Sequence, residues 1–209
     1  MSLRGLIACE ESGVVVEAFR KQGVECYSCD IKPTSSPTNL WHIQDDVRNV
    51  LSKEHFDFLI AHPPCTRLNI RGNYWTKKKG LEKEQKDAID FFMYFVNLRN
   101  VNHRAIENPV GIMSTIYRSP NQYIQPYWFG DPEQKKTALW LFNLPPLNPD
   151  PSTYLSTPPN IYFLQNGRKV TFNDRYGSRH AAIRSKTFPG IADAMAAQWT
   201  KYMLKSNMK

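Results

Sequence analysis

The run FDFLIAH, residues 56–62, constrains the fold most strongly because it is apolar at nearly every position. A strand that is apolar on both faces is typical of a parallel sheet covered by helices on both sides. Further strand patterns lie at residues 3–9, 24–30, 103–108 and 136–142, with a shorter one at 42–47. Parallel strands need right-handed crossovers, so the helical patterns between these runs predict an α/β fold with an open, mostly parallel sheet.

The helical patterns have recognisable ends. The first begins at Ser12, a favourable N-cap residue, and ends at Gly23. A longer one spans residues 81–99, where apolar side chains recur at a spacing near 3.6. Residues 66–80, basic and aromatic, are predicted to form a long loop.

The pattern changes between Asn143 and Lys186. Residues 143–160 are rich in proline and predict a surface loop, and the Asn166-Gly167 pair predicts a β-hairpin turn. A basic stretch follows, and residues 191–204 form a final amphipathic helical pattern. The sequence therefore predicts a catalytic body of residues 1–142 and 187–209, with a small basic insertion at 143–186.

The charge balance favours a polyanionic partner. The chain has 27 Lys and Arg residues against 19 Asp and Glu residues, a formal net charge of +8. Nucleic acid fits such a balance, although a basic balance is also common among small proteins without such a partner. No apolar run reaches the roughly 18 residues of a membrane span, and the N-terminus lacks the features of a secretion signal. We therefore expect a cytoplasmic protein with reduced cysteines and no membrane partner.

Cys26 and Cys29 form a C-x-x-C pair inside a predicted strand. A zinc site needs a second pair of ligands at short spacing, and none follows. Packing in the core is favoured over metal or redox chemistry, and no metal site is predicted.

Reactive or polar residues follow four of the predicted strands, namely Glu10, Asp30, Cys65 and Glu107. The carboxyl ends of parallel strands meet at one edge of a sheet, where ligands bind in open α/β folds. The four side chains are therefore expected to line one site.

Cys65 follows two prolines, which restrict the backbone and hold the sulfur in one direction. His62 and Arg67 flank it and are expected to lower the pKa of the thiol. Farther along, Tyr74 and Trp75 precede the lysines at 77–79. These suit base stacking and phosphate neutralisation, and they equally suit a packed aromatic pair beside a solvated charge run.

In order and spacing, these segments resemble the DNA cytosine-5 methyltransferase family, and most of all its small phage-encoded members. The resemblance covers roughly residues 3–142 and the terminal helix. It rests on DFLIAHPPCT, RAIENPVG and PEQKKTALWLF, with FPGIADAMAAQW as the closing helix. It implies the Rossmann-like fold of S-adenosylmethionine-dependent methyltransferases.

The resemblance also implies roles for individual residues. Cys65 corresponds to the nucleophile and Glu107 to the acid that binds the pyrimidine. Substrate contacts fall on Pro64, Asn108, Gln134 and Lys136, and S-adenosylmethionine contacts on Glu10, Ser12, Gly13, Asp30, Ile31, Asp46 and Pro63. From the residues themselves, Glu10 and Glu11 either touch the amino acid part of that cofactor or are two solvated acids.

Residue chemistry agrees with this assignment. Cytosine C5 is a poor nucleophile, and a thiolate that adds at C6 turns C5 into an enamine carbon able to take a methyl group. An acid at N3 offsets the electron density that builds on the ring, and burial is expected to raise the pKa of Glu107 for this task.

The chain departs from the family in three places. Its first loop has a single glycine, Gly13, and Ala138 replaces the second arginine of the strand that holds the pyrimidine. Arg175, Arg179 and Arg184 supply that charge, or they face phosphates or solvent. The target-recognition region is reduced to residues 143–186, which offers few positions for reading base edges. A recognition region this small fits an enzyme of low sequence specificity, an enzyme that acts on single-stranded DNA, or one that depends on another subunit.

The sequence thus predicts S-adenosylmethionine-dependent C5 methylation of cytosine in DNA through a covalent Cys65 adduct. One alternative is an enzyme that uses the same thiolate chemistry on a free pyrimidine nucleotide, with methyl or another group transferred. Another is a catalytically silent DNA- or cofactor-binding protein that interferes with restriction.

Overall fold

The main sheet contains seven strands in the computed structural model, which describes residues 3–157, 160, 162–170, 172 and 181–206. In chain order the strands are β1 (Arg4–Ala8), β2 (Glu25–Asp30), β3 (His42–Gln44), β4 (Phe58–Ala61), β5 (His103–Pro109), β6 (Gln122–Ile124) and β7 (Thr137–Phe142). Their spatial order is β3-β2-β1-β4-β5-β7-β6. The first five pair in parallel, and β7 runs antiparallel between β5 and β6. This confirms the predicted α/β class and the mostly parallel, Rossmann-like sheet.

Helices cover both faces of this sheet. They are α1 (Val14–Lys21), α2 (Val47–Lys53), α3 (Ile70–Lys79), α4 (Glu82–Asn97), α5 (Met113–Ile116), α6 (Ala181–Ser185) and α7 (Pro189–Ser206), with a 3₁₀ turn at Pro126–Phe129. Alternate residues of β4 enter two separate cores: Phe58 and Ile60 lie in the core with α1 and α7, and Leu59 and Ala61 in the core with α2 and α4. β4 is apolar at every position because both of its faces are buried in a core.

The stretch predicted as a long loop after Cys65 contains helix α3, so that prediction was wrong for residues 70–79. The Asn69 side chain accepts a hydrogen bond from the Gly72 amide at 2.8 Å and caps the helix. Gly80 ends it with φ of +63°, a conformation that glycine adopts at little cost. A Cβ on Gly72 would lie 1.9 Å from the Thr66 carbonyl oxygen, so the helix packs directly on the Cys65 turn.

Helix α1 begins later than predicted. Gly13, not Ser12, precedes its first residue, and the Ser12 hydroxyl lies 3.5 Å from the Val14 amide. The Glu10 carboxylate takes over the capping function: it accepts hydrogen bonds from the amides of Val15 at 2.6 Å and Val16 at 3.1 Å. A buried acid at a helix start satisfies two amides that have no partner within the helix.

The first residues of the predicted insertion contact both α7 and β6. The Trp199 indole on α7 donates to the Pro145 carbonyl, and the Gln122 side chain bonds to the backbone of Leu147. The predicted hairpin is present as β8 (Tyr162–Phe163) and β9 (Lys169–Val170), with Gly167 at φ of +76° in its turn. Arg175 and Arg179 lie outside the described residues, and the domain boundaries stay a prediction.

The Cys26–Cys29 pair packs in the core, as predicted. Both side chains are fully buried, and they belong to the two different cores on opposite faces of the sheet. Residues three apart on a strand point to opposite sides, so the two sulfurs do not face one site. Among the helices of the described residues, none has the length and apolar character to cross a membrane.

Candidate active site

The carboxyl ends of the parallel strands bring the predicted residues to one edge of the sheet. Ala8 of β1 pairs with Ala61 of β4, and Ala61 pairs with Ile106 of β5. The residues that follow these three therefore lie side by side at that edge. They are Cys9 and Glu10, the His62–Cys65 turn, and Glu107 with Asn108.

The Cys65 turn is held by its own backbone and by a neighbouring strand. The Cys65 carbonyl accepts hydrogen bonds from the amides of Leu68 and Asn69 at 3.0 Å and from the Asn69 side chain at 2.7 Å. The side chain of Asn108, fully buried on β5, donates to the Pro63 carbonyl at 2.8 Å. Pro63 is buried and Pro64 exposed. The cysteine is thus fixed relative to β5.

Glu107 is paired with His62. The His62 Nδ1 atom lies 3.0 Å from Glu107 Oε2, and the two side chains are 12% and 15% exposed. Burial raises the pKa of Glu107, but His62, Lys135 and the Thr137 hydroxyl together outweigh it, so the pKa lies below its ordinary value. The expectation that burial leaves this pKa raised was wrong, because the sequence did not reveal the hydrogen-bonding partners.

The environment of Cys65 differs from the expected one. Burial and the negative charge of Glu107 raise the pKa of the thiol, while Lys135 and the Asn69 side chain lower it. The prediction that His62 and Arg67 set a low pKa was therefore wrong. His62 is bonded to Glu107 instead, and the cation that favours the thiolate comes from Lys135, 70 positions along the chain.

Lys135 is the cation that faces this cluster. It is buried just before β7, and it interacts electrostatically with both Glu107 and Cys65. Its Nζ atom donates to the Lys186 carbonyl at 3.1 Å. The two neighbours for which the sequence predicted substrate contacts, Gln134 and Lys136, are exposed, and the Lys136 ammonium lies 4.4 Å from the centre of the Tyr123 ring.

Arg184, one of the three predicted arginines of the insertion, comes close to this cluster. Burial lowers the pKa of Lys135, and the positive charge of Arg184 lowers it further. The Arg184 Nε atom is buried and has no hydrogen-bond partner among the described residues. Arg184 is thus a second cation close to Lys135, whereas Ala138 is fully buried in β7.

Glu10 is neither solvated nor free for a ligand. Its carboxylate is buried and bonded to the two amides at the start of α1. Burial raises its pKa, opposed by His62 and by those amides. The interpretation of Glu10 as a solvated acid was wrong, and the geometry gives it the task of shaping the loop between β1 and α1.

Asp30 and Ile31 offer a different kind of surface at the end of β2. Asp30 Oδ1 accepts a hydrogen bond from the Lys32 amide at 2.9 Å, and Ile31 is 72% exposed. Asp46 follows β3 and caps α2 through the Arg48 amide, and Arg48 also pairs with its carboxylate. An acid beside an exposed apolar side chain suits the ribose and adenine of a nucleoside.

Helix α3 presents aromatic and basic side chains next to the Cys65 turn. Tyr74 is 61% and Trp75 44% exposed, and their rings contact each other edge to face at 5.4 Å. The ammonium groups of Lys78 and Lys79 lie 5.3 and 5.2 Å from the centre of the Trp75 ring. This surface, called the α3 face below, combines base-sized rings with positive charge.

An open hollow of about 640 Å³ lies elsewhere, beside α1 and the amino end of β2. Its lining includes Arg20 and Trp41, whose side chains stack on each other at 4.8 Å. Parallel strands separate this end of the sheet from the edge that carries Cys65, so the hollow does not belong to the site.

Sequence analysis did not predict three features of the site. They are the bond between His62 and Glu107, the buried Lys135, and Thr137. The alternation of side chains along β7 provides a signal for the last two, because Lys135 and Thr137 fall on one face and Lys136 on the other. The register of β7 against β5, which decides which face meets Glu107, is a tertiary property.

Comparisons with known proteins gave structural matches alone. No protein-family model and no curated protein sequence match this chain. One similar structure is described as a DNA modification methyltransferase encoded within a prophage of E. coli, with 14% identity, a TM-score of 0.45 and 67% of this chain covered. Another is the Entamoeba histolytica methyltransferase EhMeth, with 12% identity, a TM-score of 0.46 and 77% covered. The chain covers 46% and 58% of those two chains, about half their length.

Proposed function

We propose that this chain transfers a methyl group from S-adenosylmethionine to C5 of cytosine in DNA through a covalent bond between Cys65 and C6. One observation carries the proposal. A cysteine on a fixed turn interacts electrostatically with a buried glutamate and a buried lysine at the ligand-binding edge of an α/β sheet.

The three side chains have complementary tasks in this reaction. Cys65 adds to C6, Lys135 favours the thiolate and balances negative charge on the ring, and Glu107 binds the N3 edge. The ordinary thiol is mostly protonated at neutral pH, and burial of Cys65 increases that fraction, so the cation of Lys135 is required near the sulfur. Asn108 holds the turn in place through Pro63.

The residues at the ends of β1 and β2 fit the proposed cofactor. Asp30 would bind the ribose hydroxyls and the exposed Ile31 would pack on the adenine, while Ser12, Gly13, Asp46 and Pro63 would line the remainder. Glu10 would shape this pocket from within, since its carboxylate is engaged by the start of α1. S-adenosylmethionine, when bound, supplies an electrophilic methyl group.

DNA is the proposed partner because of charge and the α3 face. The chain carries a formal net charge of +8, and α3 has four cations and no acid in ten residues. Unpaired bases stack on exposed rings, and the neighbouring lysines neutralise the phosphates. Binding of this kind depends little on the base sequence. An unpaired strand is the proposed form of the substrate, since base flipping from a duplex costs a few kcal/mol.

The test is covalent trapping on a single-stranded oligonucleotide that contains 5-fluorocytosine, with S-adenosylmethionine present. Fluorine at C5 blocks the release step, so the protein should become linked to the oligonucleotide through Cys65. Cys65→Ser should abolish the linked species, and Cys9→Ser, which changes another thiol at the same edge, should retain it. Absence of any linked species with the unchanged protein would refute the proposal.

Two further measurements separate the alternatives. Mass analysis of nucleosides from DNA of cells that express the protein should reveal 5-methylcytosine; a different adduct would identify another transferred group. The small recognition region and Ala138 favour a free nucleotide as a second candidate substrate. Transfer of label from the cofactor to dCMP but not to the oligonucleotide would establish that candidate in place of DNA.

A further inference from the structure

The amides at the start of α1 are bonded to a side chain of the protein itself. The first hydrogen bond inside the helix runs from the Glu17 amide to the Gly13 carbonyl at 3.0 Å, so the amides before it depend on partners from outside the helix. Val15 and Val16 donate to the two oxygens of the Glu10 carboxylate, at 2.6 and 3.1 Å. Glu10 is only 5% exposed, so its carboxylate fills this position from inside the protein.

The start of such a helix is the place where open α/β folds hold the anionic part of a ligand. α1 follows β1, whose carboxyl end lies at the edge that carries Cys65. Free amides and the positive end of the helix dipole attract a phosphate or a carboxylate to that place. In this chain the side chain of Glu10 takes both amide donors, and a ligand anion would have to displace it.

The single glycine of this loop is used for packing within the chain as well. Gly13 has a φ of +75°, and a Cβ on it would lie 2.8 Å from the Ser36 Cβ atom. The segment that carries Ser36 is fastened to the loop, because the Thr34 hydroxyl and the Ser35 amide both donate to the Glu11 carbonyl, at 2.8 and 2.9 Å. The bare backbone that a glycine offers to a ligand is therefore covered on this side by residues of the chain.

The end of β2 keeps the features that suit the other part of the proposed cofactor. β2 pairs with β1, so Asp30 and Ile31 lie beside the loop that begins at Cys9. Ile31 is exposed, and the Asp30 carboxylate accepts a bond from the Lys32 amide through one of its oxygens. An acid for the ribose hydroxyls and an apolar side chain for the adenine are thus available, whereas the amide donors of Val15 and Val16 are not.

We propose that Glu10 is a specificity-determining residue. Its carboxylate occupies the place of a ligand anion at the start of α1, so the pocket selects its cofactor by the adenosyl end and not by the carboxylate of the amino acid part. The inference rests on the proposed function and adds to it which part of S-adenosylmethionine is recognised.

The experiment measures the binding of two ligands by isothermal titration calorimetry. They are S-adenosylhomocysteine and its decarboxylated form, which lacks only the carboxylate. The ratio of the two dissociation constants is compared, because partial unfolding of a variant cancels when both ligands bind the same folded molecules. For the unchanged protein the two constants should agree within about threefold. A charge-assisted hydrogen bond to the ligand carboxylate would weaken binding of the decarboxylated form about tenfold or more, and that result overturns the inference.

Glu10→Ala is the variant that opens the two amides to a ligand. We expect the ratio to rise by about tenfold, because the carboxylate of S-adenosylhomocysteine can then take the place of the removed side chain. Glu10→Gln removes the charge but keeps an oxygen in front of the amides, so its ratio should stay close to that of the unchanged protein. Glu11→Ala removes the neighbouring acid of the same loop and should leave the ratio as it is. A ratio that does not rise in Glu10→Ala, or that rises equally in Glu10→Gln, overturns the inference.

The inference and the proposed function fail in different ways. If the unchanged protein binds neither ligand, S-adenosylmethionine is not its cofactor, which refutes the proposed function and the inference with it. If the adduct with 5-fluorocytosine forms but the ratios contradict the expectation, the inference fails and the proposed function stands.

Discussion

The side-chain amide of Asn108 donates a hydrogen bond to the carbonyl oxygen of Pro63 at 2.8 Å. This bond joins two segments that lie 45 positions apart, the Glu-Asn-Pro end of β5 and the Pro-Pro-Cys turn after β4. The bond fixes the turn that carries Cys65 relative to β5, and so relative to Glu107, the residue that precedes Asn108.

Replacement of Asn108 should therefore affect both stability and chemistry. Asn108→Ala leaves the buried Pro63 carbonyl without its donor, and the free energy of unfolding should fall by about 1–3 kcal/mol. Formation of the 5-fluorocytosine adduct should slow as well, since the sulfur loses its fixed direction. Urea unfolding and adduct kinetics measure the two effects. Asn49→Ala, an exposed asparagine on α2, is the control, and equal behaviour of the two variants would contradict the assignment.

Glu10 should make stability depend on pH. Burial raises its pKa in the folded protein, so the folded state binds the proton more tightly than the unfolded chain does. Stability is then greatest below the ordinary carboxyl pKa and falls as the pH rises from there to the raised pKa. Glu10→Gln should remove this decline, because the amide oxygen still accepts from α1. Unfolding in urea over a pH series tests this, with Glu11→Gln as the control that should retain the decline.

The two adjacent lysines before β7 should differ sharply. Lys135→Met removes the cation that lowers the pKa of Cys65, so the rate of adduct formation should fall by up to about tenfold for each unit by which the thiol pKa rises. The rate should recover partly at higher pH. Lys136→Met changes an exposed side chain that contacts Tyr123 and lies away from the sulfur, so the pH profile of the rate should be unchanged and any loss should lie in substrate binding alone. Equal losses in both variants would contradict the assignment.

The α3 face should contribute to binding of unpaired DNA. Trp75→Ala removes a ring on which a base can stack, and the affinity for a single-stranded oligonucleotide should fall by about 1–3 kcal/mol. Tyr202→Ala changes an exposed ring on α7 that packs on His103, at the other end of β5, and should have no effect. Fluorescence anisotropy at one fixed salt concentration measures both. An unchanged affinity for Trp75→Ala would remove α3 from the interface.

Much of the fold follows from patterns that act locally. The apolar run of β4 predicted a sheet covered on both faces, and the Asn166-Gly167 pair predicted the hairpin. Helix α3 was missed because its composition is polar and its helical character depends on caps. Asn69 at its start and Gly80 at its end, with ten residues between them, are the local signals that indicate it.

The meeting of the candidate site residues at one edge of the sheet was predictable, and their electrostatics were less so. Strand ends located Cys65 and Glu107 because parallel strands end at one edge. The charge state of Glu107 depends on His62 and Lys135, and these meet it through the pairing of β4, β5 and β7. Which of two adjacent lysines faces inward is decided by strand register, which no local pattern contains.

The missing side chain of Gly72 has a mechanical consequence. Because α3 rests against the Thr66 carbonyl with no room for a methyl group, a shift of the helix would also displace the turn that carries Cys65. If the proposed function holds, a strand that docks on Trp75 would therefore alter the placement of the sulfur as it binds.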